Sequence, residues 1–146
     1  MKCVLAVSMA IAAGCGGSNS SNRFANFEGA AWNASVTDTA GCPAPIGTQS
    51  ASRTYSLTFV PATGADLQAT SAEGCLYKFN VSGNTATLAN GPVSCTATVS
   101  GISAVVSWTS FTATTNDGHN LTINAAGTAT NGLINCSFTE AGTATR

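Results

Sequence analysis

Along most of the chain apolar and polar residues alternate one for one. The clearest run is Arg53 to Phe59, which sets Tyr55, Leu57 and Phe59 on one face and Thr54, Ser56 and Thr58 on the other. Successive side chains of a strand point to opposite faces, so this run predicts a half-buried antiparallel strand. No stretch carries a convincing helical stripe. Eight strands are expected, at roughly 27–38, 53–61, 66–72, 75–82, 85–95, 104–115, 119–129 and 133–140.

The turns between them test this reading, because a register that splits the apolar faces is unstable. Asn131-Gly132 is a type I′ signal; pairing across it sets Ala129 opposite Ile134, Gly127 opposite Cys136 and Ala125 opposite Phe138. Gly83-Asn84 as a two-residue turn sets Val81 opposite Ala86 and Phe79 opposite Leu88. Both keep the apolar faces together. Asn116-Asp117-Gly118 does not: with Phe111 opposite Ile123, Val106 and Trp108 face the wrong way. A bulge near Thr109-Ser110 would turn them back; without it Trp108 lies on the outer face. Eight short strands joined mostly by tight turns predict an all-β fold, an eight-stranded antiparallel up-and-down barrel, with a β-sandwich as the alternative. Closure removes exposed edges, which a sheet with so few charges cannot protect otherwise.

Composition narrows the class. The 146 residues suffice for one domain with its own core. Charged residues make up 8% of the chain and apolar ones 44%, so a disordered chain is excluded. Lys2, Arg23, Arg53, Lys78 and Arg146 are scattered and the net charge is −1, which argues against nucleic acid as a partner.

The N-terminus departs from the alternation. Lys2 precedes an apolar run from Cys3 to Ala13 broken only by Ser8. As a helix it would span about 16 Å, short of the ~30 Å hydrocarbon core. It suits the apolar region of a signal peptide, not a membrane span. The following Ala12-Ala13-Gly14-Cys15 resembles the lipobox of bacterial lipoproteins, with Ala12 where that family prefers Leu. The resemblance implies a signal peptide over 1–14, a lipidated Cys15, and a membrane partner reached through the acyl anchor. Gly16 stands where Asp would signal inner-membrane retention, so an outer-membrane location is implied. Cleavage after Ala12 would instead give a plainly secreted protein.

Cysteine parity separates these alternatives. A lipidated Cys15 leaves Cys42, Cys75, Cys95 and Cys136, an even set for an oxidising compartment, whereas cleavage after Ala12 leaves an odd thiol. The Gly/Ser/Asn tract after Cys15 suits a flexible tether over 15–26 before a domain over 27–146. An up-and-down strand order brings the four cysteines to one end of the barrel. Of the three possible connectivities it favours Cys42–Cys136 with Cys75–Cys95.

Catalytic chemistry is sparse. His119 follows Asp117-Gly118 at an expected hairpin tip, where a polar turn residue is ordinary. The acids Glu28, Asp38, Asp66, Glu73, Asp117 and Glu140 form no paired motif, and no serine sits in a nucleophile elbow. No metal-ligand spacing and no phosphate-binding glycine loop occur, so no catalytic residue, metal or cofactor is assigned. The repeated Thr-Ala-Thr at 85, 96, 112, 128 and 143 reflects composition rather than a repeat architecture.

Binding is the chemistry that the pattern leaves open, since eight strands enclose either a packed interior or room for one small ligand. Trp32, Tyr55, Phe59, Tyr77, Phe79 and Phe111 are the candidate ligand-lining residues. Gly29-x-x-Trp32 in the first strand resembles the Gly-x-Trp motif of lipocalin-type barrels, displaced by one residue. In that family a basic residue near the last strand covers the Trp, and here only Arg146 can do so. The expectation is a non-catalytic, outer-membrane-anchored lipoprotein. Its barrel would take a small apolar ligand, or an envelope macromolecule on the connections 39–52 and 90–103. The alternatives are a structural lipoprotein with no specific ligand and a protease-inhibitor-like barrel.

Overall fold

A computed structural model describes residues 24–71, 74–99 and 102–146. The segment 1–14, Cys15 and the tether as far as residue 23 lie outside these residues. The described chain is all-β, with ten strands: β1 (Trp32–Gly41), β2 (Thr48–Leu57), β3 (Val60–Pro61), β4 (Leu67–Thr70), β5 (Leu76–Ser82), β6 (Thr85–Leu88), β7 (Val93–Val99), β8 (Ile102–Thr114), β9 (Asn120–Thr130) and β10 (Asn135–Thr145).

All ten belong to one antiparallel sheet that curls on itself, in the order β2-β1-β10-β9-β8-β6-β5-β4-β3, with β7 on β8 beyond the reach of β6. Two residues, Thr58 and Phe59, separate β2 from β3, so a short corner of chain joins the two ends of the sheet order. A parallel bridge from Glu28 to Phe59 lies at this corner. Two separate packed sheets, as a sandwich needs, are not formed.

Strands that were expected whole are broken at identifiable residues. The 53–61 segment bends at Thr58-Phe59, and the 85–95 segment breaks where Gly91-Pro92 interrupts the ladder. The connections 39–52 and 90–103 are mostly strand; of the first, only 42–47 lies between strands, and 93–99 of the second is β7. Residues 24–31 do not begin the first strand. They turn beneath the barrel, where Phe27 is buried and Phe24 packs on the core.

Register confirms most of the hairpin logic and corrects part of it. Phe79 pairs Leu88 and Val81 pairs Ala86 across Gly83-Asn84, as the apolar faces demand. Between β8 and β9 the register shifts between Trp108 and Ser110, the bulge that returns Trp108 and Val106 to the inner face. Phe111 lies opposite Ala125 rather than Ile123. The β9–β10 connection is a four-residue loop rather than a two-residue turn. Asn131 Oδ1 accepts the backbone N–H of Leu133 (3.1 Å) and Ile134 (3.0 Å), a side-chain alternative to the type I′ hydrogen bond. Cys136 therefore meets Ala129, Phe138 meets Gly127 and Glu140 meets Ala125. The shift is by two, so the same face stays inside.

The lower half of the barrel is filled. An aromatic file runs through it with neighbouring rings edge to face: Phe27 on Phe59 at 5.7 Å, Phe59 on Phe79 at 5.3 Å and Phe79 on Phe111 at 5.4 Å. Trp32 crowns this floor, its indole N–H donating to the Phe27 carbonyl at 2.9 Å. Outside, where charge is scarce, hydroxyls pair across strands, as Thr39 with Ser50 (3.1 Å) and Ser94 with Ser107 (2.9 Å).

Arg146 closes the floor. Its guanidinium stacks over the Trp32 ring with 4.4 Å from Cζ to the centroid. Nε donates to the Gly118 carbonyl at 2.7 Å, Nη1 to Phe27 at 3.0 Å and to Glu28, and Nη2 to Ala25 and Asn26, each at 3.2 Å. One side chain thus satisfies five carbonyls of the 24–31 turns and the β8–β9 loop. Gly29 lies against it at φ +112°, a conformation that side chains rarely adopt.

Candidate functional site

Above the aromatic floor the barrel widens into a cavity of about 700 Å³ at the end where the β1–β2, β4–β5 and β9–β10 connections lie. The taper follows from the residues. Toward this mouth the inward positions of β9 change from Leu121 and Ile123 to Ala125 and Ala129. Small residues at the top and large ones at the bottom leave a cup rather than a filled core.

The disulfides sit at its rim. Cys42–Cys136 ties the end of β1 to the start of β10, and Cys75–Cys95 ties the start of β5 to β7. All four cysteines line the cavity, with Ile46 and Ile134 beside them. Of the aromatic candidates, Tyr55, Tyr77 and Phe111 line the cavity. Trp32, Phe59 and Phe79 do not. They are fully buried in the floor below it, because the aromatic file and the Arg146 lock occupy that level. Trp108 and Phe138 take their place in the lining, ring to ring at 5.0 Å.

One wall carries ionisable groups that the sequence reading left unconnected. Asp38 on β1, Glu140 on β10 and Arg53 and Tyr55 on β2 are on adjacent strands and all line the cavity. Register does this: Asp38 pairs directly with Glu140, and Val36, one inward position below Asp38, pairs with Arg53. Arg53 donates through Nη2 to Glu140 Oε2, and its Nε lies 2.5 Å from Asp38 Oδ2. The Tyr55 hydroxyl donates to Glu140 Oε1 at 2.7 Å, and the Arg53 guanidinium lies 4.8 Å from the Tyr55 ring centre. Asp38 Oδ1 is buried and accepts no hydrogen bond.

Burial pushes the Glu140 carboxyl above its ordinary value, although Arg53 and the Tyr55 hydroxyl pull against it. Burial also lowers the Arg53 guanidinium, but Glu140 and Asp38 outweigh this and leave it raised. The Tyr55 hydroxyl is pushed up by burial and then by Glu140, so it remains a donor. An acid raised in the folded state binds its proton more tightly there than in the unfolded chain. Its contribution to stability therefore falls as pH rises from the ordinary 4.5 through the raised value. Glu140→Gln should remove this slope: urea midpoints measured from pH 4 upward should show the variant gaining on the wild type until Glu140 has ionised. A constant difference would mean that Glu140 titrates normally.

His119 stands exposed in the β8–β9 loop. Its neighbour Asp117 accepts the Asn120 N–H (2.7 Å), the Asn120 side-chain amide (2.6 Å) and the His119 N–H (2.8 Å), which hold its carboxyl well below the usual range. That is turn chemistry at the closed end, remote from the cavity. Among the described residues no three His, Cys, Asp or Glu side chains group to hold a metal, and no helix is long and apolar enough to cross a membrane. No family model, curated protein or solved structure matches the chain.

Proposed function

We propose that this protein is a non-catalytic binding barrel of lipocalin type that holds a small ligand with an apolar body in the mouth cavity. The observation that carries this reading is the cavity itself. Its volume of about 700 Å³ lies within the ~300–1,000 Å³ of ordinary ligand pockets, and its lining is largely aromatic and aliphatic with a few convergent polar groups. The finer architecture rests on the connections. With β2 and β3 counted as one bent strand and β6 and β7 as one broken strand, the order is an eight-stranded meander whose last strand returns to its first. The Arg146–Trp32 stack at its closed end supports the same family likeness.

The disulfides fit an extracytoplasmic setting, and the lipobox-like Ala12-Ala13-Gly14-Cys15 supports an outer-membrane lipid anchor. Acyl labelling should mark the wild type and not Cys15→Ala.

Titration with the neutral fluorophore N-phenyl-1-naphthylamine tests the binding reading. The wild type should bind it saturably at micromolar concentration, and Ala129→Trp, which places an indole in the cup, should weaken it at least tenfold with unchanged far-ultraviolet dichroism. Probe binding that ignores Ala129→Trp, or no binding at all, would favour a structural coat protein without a specific ligand.

A further inference from the structure

The wall formed by β1, β2 and β10 restricts what the ligand can carry. We propose that the ligand of this cavity bears a cationic head, a protonated amine, that pairs with the Asp38 carboxylate beside Glu140 while its apolar body fills the aromatic cup. The proposal rests on the cavity-binding reading above and adds to it the charge of the ligand.

Charge balance is the first ground. Among the described residues Asp38, Glu140 and Arg53 are the charged members of the lining, two acids to one base, while its other polar members, such as Gln49, Ser71 and Asn131, are neutral. The other described cations are elsewhere. Lys78 donates to the Thr63 carbonyl at 3.0 Å on the outside, and Arg146 is committed to the floor. The wall thus sets two carboxyl groups against one guanidinium, a balance that favours an incoming cation over an anion.

Prior occupancy is the second. A carboxylate or phosphate entering the cup would need the Arg53 guanidinium and the Tyr55 hydroxyl as donors. Glu140 already takes the Tyr55 hydroxyl and the Arg53 Nη2 donor, one oxygen to each, and Arg53 Nε lies against Asp38. An anionic ligand would have to share these donors with a carboxylate whose side chain is 1% exposed, and do so beside Asp38. The protein has in effect installed its own anion where an acidic ligand would go.

The third ground is what remains unfilled. Asp38 Oδ1 is an acceptor with no donor, and Asp38 is less enclosed than Glu140, with 16% of its side chain exposed. An ammonium group brings the donors that Asp38 lacks. Tyr77, Trp108, Phe111 and Phe138 border the same space, and aromatic rings attract cations by their quadrupoles. Acidic and aromatic surfaces together are the chemistry of amine recognition.

Three ligands with one naphthalene body separate the charges: 1-naphthylmethylamine, 1-naphthalenemethanol and 1-naphthylacetate, each titrated calorimetrically into the full-length protein at pH 7 and low salt. The amine should bind at least tenfold tighter than the alcohol, and the carboxylate more weakly than the alcohol. Asp38→Asn and Glu140→Gln, tested separately, should each bring the amine-to-alcohol ratio towards one. Added salt should lower the wild-type ratio. Because the ratio is internal to each variant, partial loss of fold does not mimic the effect. Equal affinities, or a preference for the carboxylate, would overturn the cationic head and leave the cavity reading intact. Failure of all three ligands and of the neutral fluorophore would overturn both.

Discussion

The double variant Cys42→Ala/Cys136→Ala should lose about 4.6 kcal/mol of stability against unfolding, the largest effect expected of any single interaction in the molecule. The bridge spans 94 residues of sequence, so it withdraws more freedom from the unfolded chain than Cys75–Cys95, whose separation is 20. By chain-entropy scaling the shorter bridge is worth about 3 kcal/mol. Replacing both partners together avoids a lone thiol. Urea unfolding of the two double variants, each against the wild type, gives the ranking. A larger loss from the Cys75/Cys95 pair would mean that loop closure is not what these bridges mainly supply. Both bridges lie at the rim, so the variants should also hold the neutral probe less tightly than their remaining structure would suggest.

Arg146→Ala should cost about 3 kcal/mol, the upper range for hydrogen bonds to a charged donor. Five backbone carbonyls lose the guanidinium at once, that of Phe27 keeping the Trp32 indole N–H, and the Trp32 ring loses its cover. Arg146→Lys should recover less than half of this. An ammonium is a point charge, and its three donors cannot reach carbonyls spread over the 24–31 turns and the β8–β9 loop. The expected signature is local as well as global: Trp32 emission should shift to longer wavelength before the barrel unfolds. Full recovery by Lys would show that charge, rather than the planar fork, holds the floor.

Most of the fold could be read from the chain because alternation and turn chemistry are local. Tyr55, Leu57 and Phe59 share a face by spacing alone, and the Thr109 bulge followed from the need to keep Trp108 and Phe111 together. Where the reading went astray, a longer-range competitor had won. The Asn131 side chain supplies the hydrogen bonds that a tighter turn would have used, which lengthens the loop. Residues 27–31 look like the start of a strand, but Arg146, more than a hundred residues away, pins them beneath the floor.

The site was harder to see. Inward phase identifies Trp32, Phe59 and Phe79 equally with Tyr55, Tyr77 and Phe111, yet depth along the barrel decides which of them meets the cavity. A signal for the charged wall did exist. In a chain with 8% charged residues, Arg53 falls in phase with buried Leu57, and Glu140 with buried Ala144. Charges on the apolar face of an otherwise clean alternation are costly unless paired, so each implies a partner. That the partners are each other, and Asp38, follows only from the pairing of β1 with both β2 and β10.

The chain enters the barrel at the closed end, with Phe24 on the core and the following turns locked by Arg146. If Cys15 is held in a bilayer, the nine steps to Phe24 allow at most about 30 Å of extended chain. Strand β8 alone, with its 13 residues, runs about 40 Å. An inverted pose, mouth against the lipid, would ask for more than that leash unless the strands tilt. The upright pose needs none of it, and points the opening outward. Guest molecules would then come and go from the aqueous side, and the barrel would act as a receiver of diffusing compounds rather than as an extractor of membrane lipid.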